Sequence, residues 1–208
     1  MARTNKPKPW ERQRSRARRQ DIREVKQRFL VVCEGHTEKN YFDAFKVKSA
    51  RITLYAQGCD ALTLVQDAMK MKGQWQDRYD QFWVVFDRDE GNNSAEQIRG
   101  AFKLAEKNGF QVAFSNQAFE LWFLLHFQTV QAAMTATRLE KKLDKLLPRQ
   151  RGGQKYSKTD PTHYETLLPK QTVALRRAEQ LTPPATKLET TNPSTTVHHL
   201  VAELNKYL

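Results

Sequence analysis

The sequence predicts an α/β fold: a parallel sheet of about four strands, flanking helices and a C-terminal helical appendage. Three observations carry that expectation. Residues 29–33 (FLVVC) and 82–86 (FWVVF) are unbroken apolar runs, the pattern of strands buried on both faces. Helix-like segments separate the strand-like runs, so that residues 29–127 read βαβαβαβα, which implies parallel strands joined by right-handed crossovers. Both apolar runs also stop at acids, Glu34 after the first and Asp87 after the second. Ligands of open α/β sheets bind beyond the carboxyl ends of such strands.

Residues 1–28 precede the sheet. Pro7 and Pro9 keep their start out of a helix, and no apolar face exists before Ile22 and Val25. We read this segment as a basic, flexible arm. The first strand, Phe29 to Cys33, is followed by a turn at Gly35 and a helix from Thr37 to about Phe45. The aromatics Tyr41, Phe42 and Phe45 recur there at helical spacing, as core residues do. Arg51 to Gln57 alternates in part and reads as the second strand. Asp60 caps a helix over 61–72. The third strand, Phe82 to Phe86, gives way to a GNNS loop whose Ser94 caps a helix over 95–108, stopped by Gly109. Residues 110–115 form the fourth strand. Residues 119–127 (FELWFLLHF) form a densely apolar helix headed by Glu120. A flavodoxin-like strand order, 2-1-3-4, would make strands 1 and 3 neighbours and set Glu34 beside Asp87.

After Gln128 the expected elements are a helix over 138–147, a Gly- and Lys-rich loop over 148–158, and a helix over 164–180 interrupted at Pro169. A Thr/Pro-rich linker over 182–193 and a final helix over 194–208 complete the chain. The expected organisation is an arm (1–28), an α/β domain (29–127) and a helical appendage (128–208).

Composition narrows the partners. No apolar run approaches the roughly 20 residues of a membrane span, and no membrane association or secretory signal is expected. The two cysteines, Cys33 and Cys59, make no disulfide framework, which fits a cytoplasmic protein. Net charge is +12, and residues 1–28 supply +8 of it through eleven Lys/Arg against three Asp/Glu. That imbalance points to nucleic acid, with Arg12, Arg14, Arg16, Arg18 and Arg19 of the arm as backbone contacts.

The acids at the strand ends point to a hard cation. Asp87 and Asp89 stand two apart in a turn and can lean toward one ion. Mg²⁺ takes oxygen ligands and keeps the remaining positions for water or phosphate. Glu34 can be a third ligand or a general acid/base. Glu38, four residues on, falls on the same helical side and can extend the site. Glu120 opens its helix at the same edge, as a further ligand or as a charge favoured by the helix dipole. Lys158 can neutralise charge at a scissile phosphate, or be a solvated lysine. His198 and His199 read as structural, and Trp122 as core. Cysteine/histidine zinc spacing, a Walker loop and a dinucleotide-binding fingerprint are all missing from the sequence.

At these residues the sequence resembles the Toprim fold, whose pattern sets a Glu at the end of the first strand and D-x-D at the end of the third. Here those are Glu34 and the pair Asp87/Asp89. The EGHTE segment, with its second acid Glu38, is closer to the Toprim nucleases of the OLD class than to topoisomerases. The chain is closer still to the RloB-like family, associated with bacterial restriction and phage-defence loci. FLVVCEGHTEKNYF, FDRDE, SNQAFELWFLLHF and NPSTTVHHLV carry that resemblance. A third acid common in topoisomerase-type sites is Gly91 here, which disfavours strand passage and primase activity. The resemblance implies Mg²⁺- or Mn²⁺-dependent phosphodiester cleavage in DNA or RNA, with Glu34 as candidate base, and an ATPase partner encoded beside the gene.

Two other classes stay in view. One is an inactive Toprim module that binds nucleic acid or regulates a partner effector. The other is a phosphoryl-transfer receiver, whose nucleophilic aspartate belongs at the end of a different strand. Deletion of residues 1–28 is expected to weaken nucleic-acid binding and flatten its salt dependence. For every phosphate the arm neutralises, its removal lowers the slope of log K against log salt by about 0.7 to 0.9. A slope identical to that of the full chain would remove the arm from the interface.

Overall fold

Five buried residues in a row leave β1 (Phe29–Cys33) no solvent face, so it must lie inside a sheet covered on both sides. The computed structural model describes residues 27–54, 59–88, 93–148, 152 and 155–208. In it β1 lies between β2 (Ala50–Leu54) and β3 (Gln81–Asp87), parallel to both. β4 (Gln111–Asn116) pairs parallel with β3. A short β5 (Ser194–Thr195) closes that side antiparallel to β4. The order is β2-β1-β3-β4-β5, so the expected 2-1-3-4 arrangement is present with one strand added.

The period of two divides the core. Phe29, Val31, Cys33, Trp83 and Val85 face one apolar cluster. Leu30, Val32, Phe82, Val84 and Phe86 face the other. The second cluster is covered by α2 (Ala61–Trp75) and α3 (Ala95–Lys107). The first is covered by α1 (His36–Asp43), α4 (Glu120–Leu125) and α5 (Ala136–Leu146), with α6 (His163–Leu167), α7 (Gln171–Glu179) and α8 (Val197–Asn205). Tyr41, Phe42 and Phe45 are buried in this cluster, and burial pushes the Cys33 thiol well above its ordinary pKa. Every residue of α4 is buried, the apolar residues 121–125 as their sequence requires and Glu120 with them at the helix start. Among the described residues no helix is long and apolar enough to cross a membrane.

The helix ends follow local chemistry. Asp60 Oδ1 accepts the N–H groups of Leu62 and Thr63 at 3.0 and 3.1 Å, opening α2. Ser94 and Gln97 form a reciprocal capping box at α3. Gly109 takes φ 68° just past α3, a conformation that costs other residues their Cβ clearance.

Three expectations change. The second strand spans Ala50–Leu54 rather than 51–57, and residues 55–58 lie outside the described part. The helix expected over 164–180 is α6, a 3₁₀ turn at Leu168–Lys170 and α7, with Pro169 in the turn. The final helix starts at Val197, because the residues before it join the sheet. Their hydroxyls do the joining. Thr195 Oγ1 donates to Phe114 O at 3.0 Å; Thr196 Oγ1 accepts Phe114 N–H at 2.9 Å and donates to Val112 O at 3.0 Å.

Leu139, Leu143 and Leu147 seat α5 against the rest of the core. Leu143→Ala is expected to cost about 2–5 kcal/mol in urea unfolding, whereas Lys141→Ala on the outer side should stay within about 0.5 kcal/mol. Equal effects would mean that α5 is not docked as described.

Candidate carboxylate site at the carboxyl edge of the sheet

The parallel pairing of β1 and β3 brings two acids to one edge. Cys33 lies opposite Val85, and the next N–H, that of Glu34, donates to Val85 O at 3.0 Å. Glu34 therefore leaves β1 where β3 reaches Phe86 and Asp87. Asp87 is fixed from two sides. Its Oδ2 accepts Phe119 N–H at 3.1 Å, at the entry to α4. Its carbonyl accepts Asn93 Nδ2 at 3.1 Å, and Asn93 Oδ1 in turn accepts Ala61 N–H at 2.8 Å, at the start of α2.

Two more carboxylates are buried beside this edge. Glu120, the first residue of α4, is 3 % exposed, and Glu38 in the first turn of α1 is 6 % exposed. Gly35 makes room for Glu38: a Cβ at position 35 would stand 2.5 Å from Glu38 Oε2. Gly35 itself is extended (φ −122°), so the glycine of E-G-x-T-E serves the second glutamate rather than the expected turn. Burial, then the charges of Glu120 and Glu34, raise the Glu38 carboxyl to about 8.

A strap from the C-terminal half crosses to these acids. Tyr156 Oη donates to Glu120 Oε1 at 2.7 Å. Lys158 Nζ stands 3.6 Å from Glu120 Oε1 and 2.9 Å from Glu140 Oε1 on α5. Partial burial opposes the charge on Lys158, but Glu120, Glu140 and Asp87 outweigh it and hold the ammonium above its ordinary pKa. Asn40 Nδ2 ties α1 to the strap through Thr159 O at 2.9 Å, and Tyr156 N–H donates to Asp144 Oδ1 at 3.1 Å.

Of the residues singled out in the sequence, Glu34, Glu38, Asp87, Glu120 and Lys158 thus belong to one electrostatic neighbourhood. Asp89 lies outside the described residues, as do Arg12, Arg14, Arg16, Arg18 and Arg19 of the arm. His198 is buried, and its ring stands 4.1 Å from that of His199 on α8. Trp122 is fully buried. Tyr156 and Glu140 carry no mark in the sequence. Tyr156 lies in a polar loop and Glu140 among the alternating charges of an amphipathic helix, and only the chain's return to the sheet gives them a role.

The donors are all carboxyl oxygens, the kind a hard divalent cation takes; Glu38 and Glu120 are buried, and burial, ahead of its neighbours' charge, raises the Glu38 carboxyl. Among the described residues, no group of three or more His, Cys, Asp or Glu is arranged to hold a metal ion. The described acids match such an ion in donor type and not in arrangement, and Lys158 stands beside Glu120 as an internal cation.

A family model described as RloB-like protein matches residues 29–204. No curated protein and no solved structure matches the chain.

Glu38 gives the site a measurable signature. In EDTA the folded protein keeps this proton up to about pH 8, whereas the unfolded chain releases it near the ordinary glutamate value of about 4.3. Between these values the folded state binds more protons, so this group's contribution to stability falls as pH rises. His126 and His198, whose burial lowers each to about 4, act in the opposite sense below about pH 6.5. The diagnostic quantity is the difference between variant and wild type. Glu38→Gln in EDTA is expected to raise the melting temperature progressively from about pH 5 to about pH 8. A difference that is flat with pH would mean that the carboxyl is ionised throughout.

Proposed function

The chain belongs to the RloB-like family, and from that premise we propose that it is a Toprim-type nuclease, cleaving phosphodiester bonds of DNA or RNA with Mg²⁺ or Mn²⁺ in bacterial phage defence. The observation that carries this reading is the convergence of Glu34 and Asp87 from paired parallel strands onto an edge where Glu38 and Glu120 are already buried. Glu34, Glu38, Asp87, Asp89 and Glu120 are the residues that would hold the cation. When bound, it supplies Lewis-acid stabilisation of the charge that develops at phosphorus.

The chain's own groups divide the remaining work. Glu34 accepts a proton from the attacking water as general base. Lys158, kept charged by Glu120 and Glu140, offsets negative charge on the scissile phosphate. Tyr156 fixes the orientation of Glu120 through its hydroxyl. The arm supplies sequence-independent contacts to the phosphate backbone. The reading further includes a cytoplasmic protein and an ATPase partner from the same locus.

A second reading, an inactive module that binds nucleic acid or regulates a partner, draws on one observation. The Lys158 ammonium already stands 3.6 Å from Glu120 and could take a metal's place.

Asp87→Asn and Asp89→Asn are expected to lower cleavage by at least ~100-fold, the scale on which one preorganised charge-stabilising group acts, with nucleic-acid binding preserved. Glu34→Gln should be equally inactive, and Glu90→Gln mild. The assay is cleavage of DNA, total RNA and tRNA with Mg²⁺ or Mn²⁺, alongside melting temperature and binding at fixed salt. Equal cleavage by wild type and Asp87→Asn would relocate the active site. A wild type that cleaves nothing and binds no Mg²⁺ would favour the inactive module.

A further inference from the structure

We propose that the outer face of α5 is a track for a nucleic-acid backbone, guiding the polyanion to the carboxylate site; this rests on the nuclease reading for the identity of the polyanion. The helix carries four cations, Arg138, Lys141, Lys142 and Lys145, against two acids, Glu140 and Asp144. Its three sides have separate tasks. Leu139 and Leu143, with Leu147 just beyond, are buried in the core. The two acids are turned toward the strap, Glu140 onto Lys158 at 2.9 Å and Asp144 onto Tyr156 N–H at 3.1 Å. Arg138, Lys141 and Lys145 are exposed, and none of them forms an ion pair with a described residue.

At 3.6 residues per turn these three fall within a stripe roughly 60° wide and about 10 Å long. With one phosphate per about 3.4 Å of strand, that length spans two or three phosphates. The track leads to the site through one side chain: Glu140 of α5 holds Lys158, and Lys158 reaches Glu120. A membrane surface is a poorer occupant, because the apolar side of α5 is spent on the core and offers nothing to lipid. The two acids also leave the outer face uniformly positive, since both are engaged on the strap side.

The experiment measures binding of a fluorescein-labelled 20-nucleotide single strand and of the matching duplex, in EDTA, across a KCl series, using the full chain. The test variant is Arg138→Gln/Lys141→Gln/Lys145→Gln. A control of equal charge change, Lys70→Gln/Lys103→Gln/Lys107→Gln, lies on α2 and α3 across the sheet. The α5 variant is expected to bind at least ~10-fold more weakly at ~0.1 M salt, with a salt slope lower by about 2, and the control to match wild type. Arg138→Lys/Lys141→Arg/Lys145→Arg should retain binding, and melting temperatures should agree throughout. Equal weakening by both triple variants would show a response to net charge alone and overturn the track. So would an α5 variant with wild-type affinity and slope while deletion of residues 1–28 removes the salt dependence. Neither result touches cleavage. Conversely, a wild type that binds through α5 but cleaves no substrate with Mg²⁺ or Mn²⁺ overturns the nuclease reading and leaves the track standing.

Discussion

The pairing of β1 with β3 is the constraint on which the rest depends. Both strands are apolar on both faces, so neither can lie at a sheet edge without exposing hydrophobic surface. Parallel pairing then aligns their carboxyl ends, and the acids that follow them come together whether or not their charges favour it. Antiparallel pairing would have sent Glu34 and Asp87 to opposite ends of the sheet. The Glu34 N–H to Val85 O bond carries the ladder one residue past β1 and fixes the point at which the glutamate departs.

That alignment creates an electrostatic problem, which the C-terminal half answers. Glu38 and Glu120 are buried beside the strand ends, where desolvation and mutual repulsion act in the same direction. Glu38 answers by holding its proton, Glu120 by accepting the Tyr156 hydroxyl with Lys158 close by. Lys158 is shared with Glu140, so the charge of the cluster is distributed onto α5 rather than left at the sheet.

The C-terminal elements are also part of the sheet's own architecture. β5 pairs with β4 through only two residues, yet Thr195 and Thr196 add three side-chain hydrogen bonds to the backbone of residues 112–114. α8 follows directly and buries Val197, Leu200, Val201 and Leu204 in the cluster that contains Val31 and Val85. Sheet, strap and terminal helix therefore share one core, which is why a strap residue can hold a fixed distance to an acid on α4.

Local pattern was enough for the strands and for the acids at their ends. An apolar run five residues long, an N-cap aspartate and a Ser94/Gln97 box are recognisable because their causes lie within a few residues. Glu34, Asp87, Glu38 and Glu120 were legible for the same reason, each adjoining an element whose type the sequence declares. β5 was not. Ser194 and Thr195 read as the start of a helix, and became a strand because the edge of β4 offered bonding partners some 80 residues away. Tyr156 and Glu140 were equally hidden, one in a polar loop and one among alternating charges. The contact of Tyr156 with Glu120 spans 36 residues and leaves no trace in periodicity. Short-range chemistry decides which residues form elements and where acids stand at their ends. Long-range closure decides which charges meet, because Coulomb and hydrogen-bond energies depend on distance through space and not along the chain.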